Sequence, residues 1–155
     1  MNLRNKKGFT LVELLVATAI MVVMISIGVV TFVSSKNASS LNSYTDGIIS
    51  SLEQARGNAL SGKEGSSYGI KFTTNTLTHT LFTGSTYSSS ATTNVVTQIG
   101  TGYTLTTNLT GSSNTIVFSR LTGVPSATGT ITLLQQATSK SKIITIGTQG
   151  NITVQ

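Results

Sequence analysis

Apolar residues follow two distinct rhythms along this chain. From Phe9 to Val33 the sequence reads FTLVELLVATAIMVVMISIGVVTFV, with Glu13 as the single ionisable side chain and no proline. A helix of that length measures about 37 Å, which exceeds a hydrocarbon core of roughly 30 Å. The segment is therefore expected to cross a bilayer with some tilt. Beyond it the helical period continues in thinner form. Leu41, Tyr44, Ile48, Leu52, Ala55 and Ala59 recur at spacings of three and four, with Asn42, Asp46, Ser50, Glu53 and Arg56 mainly off that stripe. This is one apolar face of an amphipathic helix. Gly62 supplies a C-terminal stop, so one helix is expected from about Phe9 to Ser61. Gly28, Gly47 and Gly57 lower its propensity and are candidate bends.

After Ser66 the rhythm changes to short β-branched and aromatic runs separated by Gly, Ser and Asn. These predict strands at Tyr68–Phe72, Thr76–Phe82, Val95–Ile99, Tyr103–Thr107, Thr115–Ser119, Gly129–Leu134, Lys142–Ile146 and Asn151–Val154. Asn75-Thr76 and Gln149-Gly150-Asn151 read as tight turns, and Thr83–Asn94 as a Ser/Thr-rich mobile loop. A long helix followed by eight short strands predicts an α+β fold: the helix packs on an antiparallel sheet or small β-sandwich.

Charge refines this picture. The net charge is +6, from ten Lys and Arg against four Asp and Glu. Arg4, Lys6 and Lys7 all precede the apolar run, so the basic balance partly reports a targeting segment. By the positive-inside rule, that end lies in the cytoplasm and the chain after Lys36 lies outside.

From residue 65 onward there is no Asp or Glu, the only histidine is His79, and the chain has no cysteine. Paired-carboxylate catalysis, a Ser-His-Asp triad and carboxylate calcium sites therefore have no residues there. Zinc has one possible histidine ligand, and a disulfide framework is excluded. His79, in Leu77-Thr78-His79-Thr80-Leu81, is read as a solvent-facing strand residue alternating opposite the leucines. The sequence is read as that of a non-enzyme without cofactor or metal.

An ordinary secretory signal has a short apolar region followed by a small-residue cleavage site. Here the order is a basic leader, then Gly8, Phe9 and Thr10-Leu11-Val12-Glu13-Leu14-Leu15, at the head of a long apolar helix. This register resembles the class III signal of type IV pilins and type II secretion pseudopilins. Further on, NTIVFSRLTGVPSATGTITL, KIITIGTQGNITV and LEQARGNAL resemble the H-type pseudopilins and FimT/FimU-type minor pilins, the GspH/FimT family.

The resemblance implies a division into a leader (1–8), a membrane and filament-core helix (9–33), the amphipathic half of the same helix (34–62) and a β-rich globular domain (63–155). It implies cleavage between Gly8 and Phe9 by a prepilin peptidase and N-methylation of Phe9. It also implies an inner-membrane assembly platform, and packing against other pilin subunits after residence in lipid. Glu13 would face the α-amino group of a neighbouring subunit. A free amine titrates at about 7.7–8.0 and is largely charged at neutral pH. Two charges that are costly when buried alone become tolerable as a pair. The competing reading is a membrane-anchored β domain whose Glu13 merely reaches the interface.

Lys71, Arg120, Lys140 and Lys142 have no acid after residue 64 to offset them. One reading is a weakly charged, Ser/Thr-solubilised surface. The other is a phosphate-contacting patch of Arg120, Lys140 and Lys142 for extracellular DNA, since FimT-type minor pilins include DNA-uptake components. A few such cations would bind weakly and with strong salt dependence.

Overall fold

A computed structural model describes residues 8–155, apart from the side chains of 27–34. Helix α1 runs over Leu11–Leu60. Its residues up to Ala38 belong to one compact unit and those from Ser39 to a second, which continues to Gln155. The expected membrane span therefore lies partly outside the described residues. Among those described, no helix is long and apolar enough to cross a membrane.

In the first unit every side chain from Gly8 to Ser26 is exposed. The exposed large apolar groups include Leu11, Val12, Leu14, Leu15, Ile20, Met21 and Ile25. A helix apolar all round has no self-sufficient packing in water.

The second unit has its own core. Leu41, Thr45, Ile48, Leu52, Ala55 and Ala59 form the buried stripe of α1. Thr45 takes the place expected for Tyr44, and its hydroxyl donates back to the Leu41 carbonyl at 2.8 Å. Tyr44 sits beside the stripe and meets Tyr103 edge to face, with ring centroids 5.1 Å apart. Gly100 makes this possible, because a β-carbon there would meet the Tyr44 hydroxyl at 2.3 Å. Gly62 ends the helix in the left-handed region at φ 64°. The carbonyl of Ala59 accepts from the N–H groups of Gly62 and Leu121 at 3.1 and 2.8 Å. Those bonds satisfy an end that would otherwise be open.

All eight expected strands form: β1 (Tyr68–Thr73), β2 (Thr78–Thr83), β3 (Val95–Gln98), β4 (Tyr103–Leu109), β5 (Thr115–Phe118), β6 (Gly129–Gln135), β7 (Lys140–Ile146) and β8 (Ile152–Val154). They pair antiparallel into two four-stranded sheets, ordered β3-β2-β1-β5 and β4-β6-β7-β8. Their inward faces share one core with α1, from Ile70, Phe72, Ile116 and Phe118 to Leu105, Ile131, Leu133, Ile144 and Ile146. The fold is thus α+β, a helix packed on antiparallel sheets. The connection after β2 forms no strand, but it is tied down. Tyr87 meets Phe82 edge to face at 5.4 Å, and the Asn94 amide donates to the Ser88 carbonyl at 2.8 Å.

His79 corrects the reading of its strand. It is 1% exposed, not solvent-facing. Residues two apart on a strand share a face, so His79 lies with Leu81 rather than opposite it, while Leu77 belongs to the preceding turn at φ 53°. It stands across from Phe72 in the β1–β2 register, on the side that α1 covers.

Candidate functional site

Thr10, Leu11, Val12 and Glu13 spell the T-x-x-E pattern of a capping box, and α1 starts immediately after Thr10. The Thr10 hydroxyl accepts from the Glu13 backbone N–H at 3.3 Å. The Glu13 carboxylate accepts from the Thr10 N–H at 3.5 Å. This exchange satisfies two donors of the helix end, and a carboxylate in the first turn also meets the positive end of the helix dipole. Gly8, Phe9, Thr10 and Glu13 together line one open concavity of about 360 Å³. The structure thus brings Gly8, Phe9 and Glu13 into one locality. The Gly8–Phe9 bond is reachable, since both residues are exposed and Phe9 is 84% so. Thr10 was not singled out from the sequence, although its spacing to Glu13 is a recognised signature.

The basic residues divide. Lys140 and Lys142 lie on one face of β7, the face that further along carries buried Ile144 and Ile146. Lys140 pairs across with Gln135 at one end of the strand and Ile146 with Gly129 at the other. Arg120 belongs to that second end. Its neighbour Leu121 donates to Ala59 at the end of α1, and a β-carbon on Gly150, beyond β7, would meet the Gly123 carbonyl. The length of β7, roughly 20 Å at 3.3 Å per residue, keeps Arg120 away from the lysine pair. Lys71 is engaged by Asn114.

One further polar pair was missed. The Ser51 hydroxyl lies 2.9 Å from His79 Nε2 and donates to the Gly47 carbonyl at 3.0 Å. With its hydrogen so placed, Ser51 accepts from Nε2–H. His79 Nδ1 is buried without a partner among the described residues. Burial holds the His79 pKa below its ordinary value, because the charged form would be poorly solvated. No acid among the described residues orients the pair, and the ring is 1% exposed. Among the described residues no cluster of His, Cys, Asp and Glu could hold a metal ion.

Comparison with known proteins bears on both units. A family model for the prokaryotic N-terminal methylation motif matches residues 3–29. No curated protein matches the chain. Among solved structures, the minor pseudopilin EpsH from the Type 2 Secretion System of Vibrio cholerae is similar, with a TM-score of 0.56 and 12% identity over 75% of this chain and 96% of that one. The type IV minor pilin FimU of Pseudomonas aeruginosa is similar too, with a TM-score of 0.55 and 16% identity over 74% of this chain and 92% of that one. The chain therefore carries a prokaryotic N-terminal methylation motif together with the fold found in a minor pseudopilin and a minor pilin.

Proposed function

We propose that this chain is a minor pilin or pseudopilin, a structural subunit of a type IV pilus-like or type II secretion pseudopilus filament that assembles through its N-terminal helix. In this reading prepilin peptidase cuts between Gly8 and Phe9, and the new Phe9 amine is methylated. The anchor crosses the cytoplasmic membrane once, with its N-terminus inside and the β-rich domain outside. An inner-membrane platform then transfers the subunit from lipid to neighbouring pilin subunits.

The observation that carries the reading is the methylation motif at the head of a helix whose apolar groups lie exposed. Twelve large apolar side chains between Phe9 and Ile25 are exposed. At about 1.5–3 kcal/mol each, leaving them in water would cost roughly 18–36 kcal/mol. That exceeds the whole stability of an ordinary domain, about 5–15 kcal/mol, so lipid or other helices must cover them. Glu13 suits the second setting. Its carboxylate already lies at the helix start, in the concavity it shares with Gly8, Phe9 and Thr10.

Mass spectrometry of the mature chain and a Glu13→Gln variant test the reading together. A chain beginning at methylated Phe9, and loss of Glu13→Gln from filaments, are expected. An intact leader, or normal incorporation of Glu13→Gln, would overturn it. The alternative of DNA capture in uptake draws only on Lys140 and Lys142, since Arg120 lies elsewhere.

A further inference from the structure

All four residues of β3 are exposed, so neither of its faces is packed, and β3 is the edge of its sheet. Val95 and Val96 are 57% and 62% exposed. The other edge of the same sheet is closed. There Ser126 N–H donates to the Val117 carbonyl at 2.8 Å, the Ser126 hydroxyl accepts from Val117 N–H at 3.0 Å, and Phe118 bridges to Pro125.

The register shows which groups of β3 stand open. Ile99 N–H donates to the Leu77 carbonyl at 2.8 Å. Thr97 pairs with His79 and Val95 with Leu81, in the same phase as Ile99, so their N–H and C=O groups face β2. Backbone groups alternate along a strand. Those of Val96 and Gln98 therefore point away from the sheet, with no strand opposite among the described residues.

Natural edges are usually blunted by Lys, Pro or a bulge. This edge has no Lys or Pro, and from Phe72 to Ser119 the chain contains no Lys, Arg, Asp or Glu. Beside it runs a groove of about 280 Å³, whose lining includes Asn58 of α1, Lys63, Glu64, Tyr68, Leu81 and Val95. Tyr68 is 4% exposed, and its hydroxyl is buried without a partner among the described residues, as is the Asn94 side-chain carbonyl just before β3. Such atoms normally bond to something.

We propose that β3 is a strand-addition site for a neighbouring, different subunit of the filament; this rests on the function proposed above. The occupant is an extended, uncharged strand that bonds to the outward backbone groups of Val96 and Gln98. A strand with net charge is disfavoured, because β3 carries no charge and the two charged groups lining the groove, Lys63 and Glu64, are opposite in sign. A second copy fits poorly. Self-pairing centred on Thr97 would set Val95 opposite the other copy's Ile99, which is 1% exposed within its own core. Four residues make a weak site alone, but subunits already held side by side by their helices present the strand at high effective concentration.

The test uses the full-length chain, free in detergent micelles and assembled in sheared filaments, with amide hydrogen exchange read residue by residue. Assembly should slow exchange at Val96 and Gln98 by about tenfold or more, while Val95 and Thr97 are already protected in the free chain. Val96→Pro removes only an outward N–H, which an edge strand tolerates. It should keep the slow core amides of Ile70 and Ile144 yet enter filaments at least about tenfold less than wild type.

Unchanged exchange at Val96 and Gln98 on assembly would overturn the proposal even if Val96→Pro fails to fold. So would normal incorporation of Val96→Pro, or a disulfide between two copies of a Thr97→Cys chain. In each case incorporation of the wild type leaves the proposed function standing. Absence of the wild-type chain from filaments would remove that function and this site together.

Discussion

Acidification from pH 7 to pH 5 should weaken the domain of residues 39–155 through one side chain. His79 is held neutral by burial between α1 and β2, with its single hydrogen on Nε2 directed at Ser51. A second proton would go to Nδ1, where no acceptor waits among the described residues. In the unfolded chain the ring titrates at its ordinary value of about 6.5.

The folded pKa is depressed, so below pH 6.5 the unfolded state binds more protons than the folded one. Stability is then complete above the unfolded value and falls as pH drops through it, until the folded group itself takes up a proton. Within that window one proton of difference corresponds to about 1.4 kcal/mol per pH unit.

Urea unfolding at pH 7.0, 6.0, 5.5 and 5.0 would read the slope. His79→Leu should abolish it, since leucine cannot titrate and the Ser51 hydroxyl keeps its bond to Gly47. At pH 7 that variant loses one hydrogen bond, worth about 0.5–1.5 kcal/mol net, against a gain in apolar burial, so the two proteins should differ little. A wild-type domain equally stable at pH 7 and pH 5, or a His79→Leu domain with the same slope, would refute the reasoning.

Other outcomes follow from the same geometry. Thr10→Val should fray the first turn of α1 by about 1 kcal/mol, seen as faster amide exchange at Leu11–Glu13 in micelles, whereas Thr10→Ser should not. Gly100→Ala should destabilise the domain by about 1–3 kcal/mol in thermal unfolding, because its methyl group occupies the place of the Tyr44 hydroxyl. The Lys140 and Lys142 pair supports only weak DNA contact. Any retardation of duplex DNA should follow salt with a log–log slope near about −2 and disappear in Lys140→Ala/Lys142→Ala. Binding that survives in that variant would show that other residues carry it.

Much of the architecture is local in origin and so was legible along the chain. The three-four spacing from Leu41 to Ala59, the stop at Gly62 and the β-branched runs each encode a period that one element can satisfy by itself. The Gly8-Phe9-Glu13 register is equally local, and so is the capping box, which the sequence displayed unnoticed.

Tertiary structure decided what depends on a distant partner. Thr45 displaced Tyr44 from the buried stripe because Tyr103 and Gly100 offered the ring a place beside it. His79 was legible in part: its parity with Leu81 marks the shared face, but only the covering helix turns that face inward. Arg120 and Lys140 are both basic residues in the β-rich part, yet the intervening length of β7 separates them. β3 reads like any other strand, and only the pairing order leaves it on an edge with both faces bare. Period is a property of neighbours along the chain, whereas burial and edge exposure are set by which segments meet across it.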